Sequence, residues 1–124
     1  MNTEECYRKI GGDYEDVLAR FGSETLVTRF ALQFLKDTSY DDLQKSLEGG
    51  DTEAAFRAAH TIKGLCSNLG FTALWQASGQ LCERLRAGER VCVADTDPVR
   101  SAYLTLTNAL IQLRDCGHQK SAHD

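Results

Sequence analysis

Apolar residues recur along the chain at three- and four-residue steps, and strand-type alternation is absent, so the pattern predicts helices throughout. Glycines and capping residues divide it into segments. A short amphipathic segment at residues 3–9 ends at Gly11-Gly12, and "DYEDVLARF" forms a second short helix that stops at Gly22. Ser23 caps a helix to about Asp37, with Val27, Phe30 and Phe34 and their neighbours Leu26, Ala31 and Leu35 expected inward. Ser39 opens the next helix, with Asp42 three residues on as a weaker capping box. Its apolar stripe is Tyr40, Leu43 and Leu47, and Gly49-Gly50 ends it. Asp51 caps a longer helix that Gly70 closes, and a further one from about Thr72 to Ala87 buries Leu74, Ser78, Leu81 and Leu85. "ERVCVADT" reads as a connection whose valines cover a bundle end. Asp97 as N-cap and Pro98 at the first helical position then start the last helix, which carries Val99, Tyr103, Leu106, Leu110 and Leu113 to about Cys116. The tail "GHQKSAHD" is polar and expected to be loose.

Short connections between amphipathic helices favour antiparallel neighbours. The expected fold is all-α: an antiparallel up-down four-helix bundle over residues 23–117, a short N-terminal helical extension over 1–22 packed on it, and a polar tail over 118–124. A chain of 124 residues is one domain by size.

Composition narrows the function classes. The net charge of -4 argues against a nucleic-acid footprint or a basic membrane-binding surface. No apolar run approaches the roughly 20 residues that span a bilayer, and "MNTEECYRKI" lacks a signal-peptide core. The five cysteines are odd in number and share no C-x-x-C spacing, which argues against a disulfide framework or a structural zinc site. Cys116, His118 and His123 are one ligand short of a closed zinc site, so no metal is expected. A cytoplasmic protein is expected.

One segment asks for a reason beyond folding. In "AFRAAHTIKGLCSNLG", His60 is followed one turn later by Lys63 and Gly64. A glycine inside a helix costs about 1 kcal/mol relative to alanine, and a lysine one turn away repels a charged imidazole. On a wheel of about 100° per residue, Ala55, Ala59, Ile62, Cys66 and Leu69 share one face, whose centre lies about 140° from His60. His60 therefore stands on a ridge with Glu53, Phe56, Lys63, Gly64 and Ser67, away from the core. Removing a side chain beside an exposed imidazole lets another molecule approach the ring, and an ammonium beside it offsets negative charge gained there. Those features suit a phosphoryl group, whose transfer needs mainly positioning and charge stabilisation.

The run "AAHTIKGLCSNLG" resembles the signature of histidine-containing phosphotransfer (HPt) domains, roughly A-H-x-[hydrophobic]-K-G-x-x-x-x-[hydrophobic]-G. His60, Ile62, Lys63, Gly64, Leu69 and Gly70 fill it without a gap, and the likeness extends from about residue 13 to 115. The resemblance implies that His60 accepts a phosphoryl group from a receiver-domain aspartyl phosphate and passes it to another receiver aspartate. It implies a carrier rather than an enzyme, with no cofactor of its own and Mg²⁺ held by the partner receiver. Lys63 would steady the phosphoryl group and Gly64 would give the receiver room. The implied partners are response-regulator receiver domains and a hybrid sensor histidine kinase, and a monomer is expected. Two departures stand out. Leu65 replaces the small residue many members carry, and Cys82 falls where many place a glutamine that hydrogen-bonds the histidine, with Gln76 and Gln80 out of register.

Phe56, Arg57, Thr61 and Ser67 are the candidate partner contacts around His60. The alternative function is a helical module that docks a receiver or kinase without being phosphorylated. Met1 and the completeness of the bundle favour a protein that stands alone.

Overall fold

The computed structural model describes residues 1–123, with side chains described through Cys116. Among the described residues the chain is all-α: α1 (Thr3–Lys9), α2 (Tyr14–Phe21), α3 (Glu24–Gln33), α4 (Ser39–Glu48), α5 (Thr52–Leu69), α6 (Thr72–Arg86) and α7 (Asp97–His123), with short 3-10 turns at Phe34–Lys36 and Val93–Thr96. Helix α5 packs against both α4 and α6, and α6 packs against α7. The stacked rings of Tyr40 and Tyr103, 4.0 Å between centroids, join α4 to α7.

The core follows the expected stripes. Ala55, Ala59, Ile62 and Cys66 of α5 are fully buried, facing Leu43 of α4, Leu74, Leu81 and Leu85 of α6, and Val99, Leu106 and Leu110 of α7 in one cluster. Each buried leucine or isoleucine contributes about 2 kcal/mol by removal from water. Two of the expected caps form: Ser23 accepts the Leu26 N–H at 3.2 Å and Asp51 accepts the Ala54 N–H at 3.0 Å.

The C-terminus of α5 is tied down from elsewhere in the chain. Gly70 takes φ +69, and the Phe71 N–H returns to the Cys66 carbonyl at 2.9 Å, a Schellman closure. The last carbonyls of α5, orphaned by the helix end, find donors in the N-terminal segment. The Tyr7 hydroxyl donates to Leu69 O at 2.7 Å, Asp13 N–H donates to Gly70 O at 3.0 Å, and Arg20 donates to Asn68 O. Burial, chiefly, pushes the Tyr7 phenol well above its ordinary range, so it stays protonated as a donor. The N-terminal residues are thus a brace on α5.

Several expectations need correction. Phe30, expected inward, is 37% exposed; Val27, Ala31 and Phe34 already fill the inner stripe of that segment, and Phe30 is left at its edge, stacked on Phe21 at 5.0 Å. Leu26 and Leu35, expected inward, are half-buried, while Tyr40, Leu47 and Tyr103 of the expected stripes pack half-buried against the core. Thr38, not Ser39, is the N-cap of α4, and its side chain makes no capping bond. Instead Asp37 accepts the Ser39 N–H at 2.9 Å, so the acidic cap comes from the preceding extended residue.

The connection before α7 is also more ordered than its composition suggests. The Asp95 carboxylate accepts the Cys92 N–H at 3.0 Å, which with the Cys92 thiol holds its pKa below the usual carboxylate range. The resulting 3-10 turn runs straight into α7, so Asp97 lies inside the helix instead of capping it. Helix α7 is described to His123, and the expected polar tail over 118–124 lies outside the described side chains.

Gly70→Ala tests the brace. A Cβ there would overlap Val17 Cγ2 and lie 2.9 Å from Asp13 O, at a left-handed φ. We expect a loss of about 3 kcal/mol in denaturant unfolding, from backbone strain and overpacking together.

The thiols give a second check on the core. Burial pushes Cys66 up to about 12 and raises Cys6 and Cys82, whereas Cys92 is exposed. Alkylation near pH 8, read by mass spectrometry, should label Cys92 in the folded protein and Cys6, Cys66 and Cys82 only on unfolding.

Candidate functional site

Helix α5 presents two faces. Its inner face is the alanine-rich stripe of the core. Its outer ridge carries Glu53, Arg57, His60, Gly64 and Ser67, all exposed, with Phe56 and Lys63 half-buried along one flank. His60 therefore stands in solvent at the middle of a helix fixed at both ends, by Asp51 at the start and by Gly70 at the close.

The two flanks of the ridge differ. On the wheel, Phe56 and Lys63 lie to one side of His60, and Arg57 and Gly64 to the other. The first side abuts α6. A Cβ placed on Gly79 would lie 3.6 Å from Lys63 Cε and 3.7 Å from Cδ, so the lysine stem lies across α6 at that glycine. This arrangement buries the methylenes and leaves the ammonium free to reach solvent. The Phe56 ring lies 5.9 Å from the His60 imidazole at an interplanar angle of 16°, within the range of offset-stacked aromatic pairs. The Arg86 guanidinium of α6 lies over the same phenyl ring, 5.6 Å from its centroid.

The second side is open. A Cβ built on Gly64 would meet no atom within 4 Å. Packing does not require glycine there, and the space beside the neighbouring imidazole is open.

Charge around the ring is mainly positive. Arg57 pairs loosely with Glu53 at 4.0 Å, and Arg86 pairs with Glu83 at 3.2 Å. Lys63 makes no ion pair among the described residues, which leaves its ammonium available to an incoming anion. Thr61 spends its hydroxyl on the Arg57 carbonyl at 3.0 Å. Ser67 is exposed, and its carbonyl receives Arg20 at 3.4 Å.

The chain matches the family model described as "Hpt domain" over residues 33–116. The protein belongs to the Hpt family. No curated protein and no solved structure matched it. Hpt domains act in histidine phosphotransfer within two-component phosphorelays, as carriers that interact with receiver domains and kinases. The His60 ridge lies within the matched Hpt segment.

Of the residues singled out from sequence, the fold gathers His60, Lys63, Gly64 and Phe56 into one neighbourhood, with Arg57, Thr61 and Ser67 along the same exposed side of α5. Leu65 turns from the ring toward α3, where it lines a crevice with Phe30, Gln33 and Asn68. Cys82 is level with His60 across the α5–α6 hairpin but is buried, 1% exposed. Gln76 and Gln80 line a groove of about 410 Å³ between α6 and α7, on the opposite side of α6. No hydrogen bond to the His60 ring comes from any described side chain. Among the described residues no group of three or more potential ligands could hold a metal ion, and His118 and His123 lie outside the described side chains.

Arg86 and Gly79 were not anticipated. A signal existed: Phe56 and Arg86 are equidistant from Phe71, as are Lys63 and Gly79, and His60 and Cys82. In a helix hairpin that turns at Phe71, such pairs stand level.

Gly64→Ala should raise stability by about 0.5–1 kcal/mol in denaturant unfolding, because the helix gains propensity and the new methyl group meets nothing. Destabilisation would show that Gly64 packs.

Proposed function

We propose that His60 is the phospho-accepting residue of a phosphorelay intermediate, taking the group from the aspartyl phosphate of one receiver domain and delivering it to an aspartate of another. The observation that carries this reading is an imidazole standing in solvent beside a glycine with open space around it, in an Hpt-family chain. In the forward step the outward ring nitrogen attacks phosphorus. The bond from phosphorus to the receiver's carboxylate oxygen breaks as the N–P bond forms, and the carboxylate leaves with the electron pair. The proton on the other ring nitrogen stays in place. In the second step a receiver carboxylate attacks phosphorus, and the N–P electron pair returns to the ring.

The remaining residues divide the work. Lys63 supplies positive charge to the equatorial phosphoryl oxygens. Gly64 admits the edge of the receiver's active site. Phe56, Arg57, Thr61 and Ser67 lie in the receiver's footprint. The acidic pocket and its Mg²⁺ belong to the receiver, and the helix surface brings no cofactor of its own. A hybrid sensor histidine kinase is the donor that fits such a carrier.

The finer architecture belongs to the same reading: α4 to α7 form an up-down antiparallel bundle at the heart of residues 23–117, with residues 1–22 packed on it. Successive packing of these helices supports it. The protein acts as a monomer in the cytoplasm, a placement that its five free cysteines support. No helix among the described residues is long and apolar enough to cross a membrane.

Incubation with a radiolabelled phosphorylated receiver tests the assignment. Wild-type protein should acquire acid-labile, alkali-stable label, and His60→Gln should acquire none. Gly64→Gln should fold at least as well as wild type yet lose transfer by about a hundredfold or more, through misplacement of the reacting atoms. Undiminished labelling of His60→Gln would refute the assignment. A wild-type protein that binds the receiver but takes no label would favour the docking-only alternative.

A further inference from the structure

Exposed histidines turn easily about the bond to the ring, because that torsion is broad and weakly staggered. A ring that serves as nucleophile must present one nitrogen along one line. At His60 no described side chain supplies a hydrogen bond to fix it, and the level position on α6 is the buried Cys82, whose thiol is a weak hydrogen-bonding group. Something else must restrict the ring.

The neighbour that can do so is Phe56. It precedes His60 by one helical turn, so their side chains lie on the same side of α5. Their rings are nearly parallel, at 16° and 5.9 Å. Phe56 is itself restrained, since it is half-buried against the core and carries the Arg86 guanidinium over its ring at 5.6 Å. Arg86 is held in turn by Glu83 at 3.2 Å. The chain of contacts runs from α6 through Arg86 and Phe56 to the imidazole.

We propose that Phe56 is a positioning residue for His60: stacking against the phenyl ring sets the imidazole plane and turns its reactive edge outward beside Gly64. This rests on His60 being the phospho-acceptor. The stack narrows the angles through which the ring can swing while the Gly64 side stays open, so the nucleophilic nitrogen is aligned before the receiver arrives. Phe56 touches neither phosphorus nor the receiver's aspartate; it acts through the imidazole.

Phe56→Leu keeps an apolar side chain at the half-buried position, and Phe56→Tyr keeps the ring. Two readouts are needed, one independent of transfer. In proton NMR of the free protein, wild-type His60 ring protons should be shifted upfield by the phenyl ring current and show cross-peaks to Phe56. Phe56→Leu should lose that upfield shift, and Phe56→Tyr should retain it. In single-turnover transfer from a phosphorylated receiver, Phe56→Leu should lower the saturating rate about tenfold or more, beyond any change in the receiver concentration giving half-maximal rate that follows from losing a footprint contact. Phe56→Tyr should restore the rate.

Unaltered His60 ring shifts in Phe56→Leu would overturn the proposal, as would an unchanged saturating rate. A defect confined to the half-maximal receiver concentration would also overturn it, by showing Phe56 to be only a partner contact. Failure of the underlying assignment is seen separately, because His60→Gln would then still take label while the ring-current result stood.

Discussion

The site depends on the reversal of the chain at Gly70 and Phe71. Gly70 can take the left-handed conformation and leaves space that a side chain would fill with Val17 and the Asp13 backbone. Phe71 closes the helix through its N–H and buries its ring between Tyr7 and Phe34. With that turn fixed, α6 runs back along α5 in one register. Phe56 meets Arg86, Lys63 lies over Gly79, and His60 stands level with Cys82. A shift of one residue in the turn would misalign all three pairs.

Helix α5 serves two purposes that compete for the same residues. Its inner face must be small enough to pack closely against α4 and α6, which Ala55, Ala58 and Ala59 allow. Its outer ridge leaves an imidazole free and a gap beside it, at the cost of the helix propensity that Gly64 forfeits. The brace from the N-terminal segment offsets part of that cost by satisfying the last carbonyls of α5. Tyr7 and Asp13 thus bear on the His60 ridge although neither lies on it: they hold the end of the helix that carries it.

Most of the fold was legible in the spacing of apolar residues, because helices buried along one face write their period directly into the chain. The α5 stripe and the outward direction of His60 followed from counting alone. Edges were harder. Phe30 looks like core by hydrophobicity, yet its half of the period was already filled by Val27, Ala31 and Phe34, and only the end of α2 is there to cover it. The Cys92–Asp95 turn escaped notice because cysteine is not an expected capping residue, and the bond that orders it comes from a carboxylate downstream. For the site, the residues on α5 could be read from one helix. Arg86 and Gly79 could not, since they enter only once the hairpin register is known. The stacking of Phe56 on His60 also needs rotamers, which a wheel does not supply.

The central claim is that the phosphoryl group resides on the imidazole at position 60. A proton–phosphorus correlation spectrum of the phosphorylated protein tests it most directly. The account predicts one phosphorus resonance coupled to the ring protons of His60, on the nitrogen that faces solvent. Coupling to any other residue, or a phosphorus signal with no coupling to an imidazole proton, would contradict it.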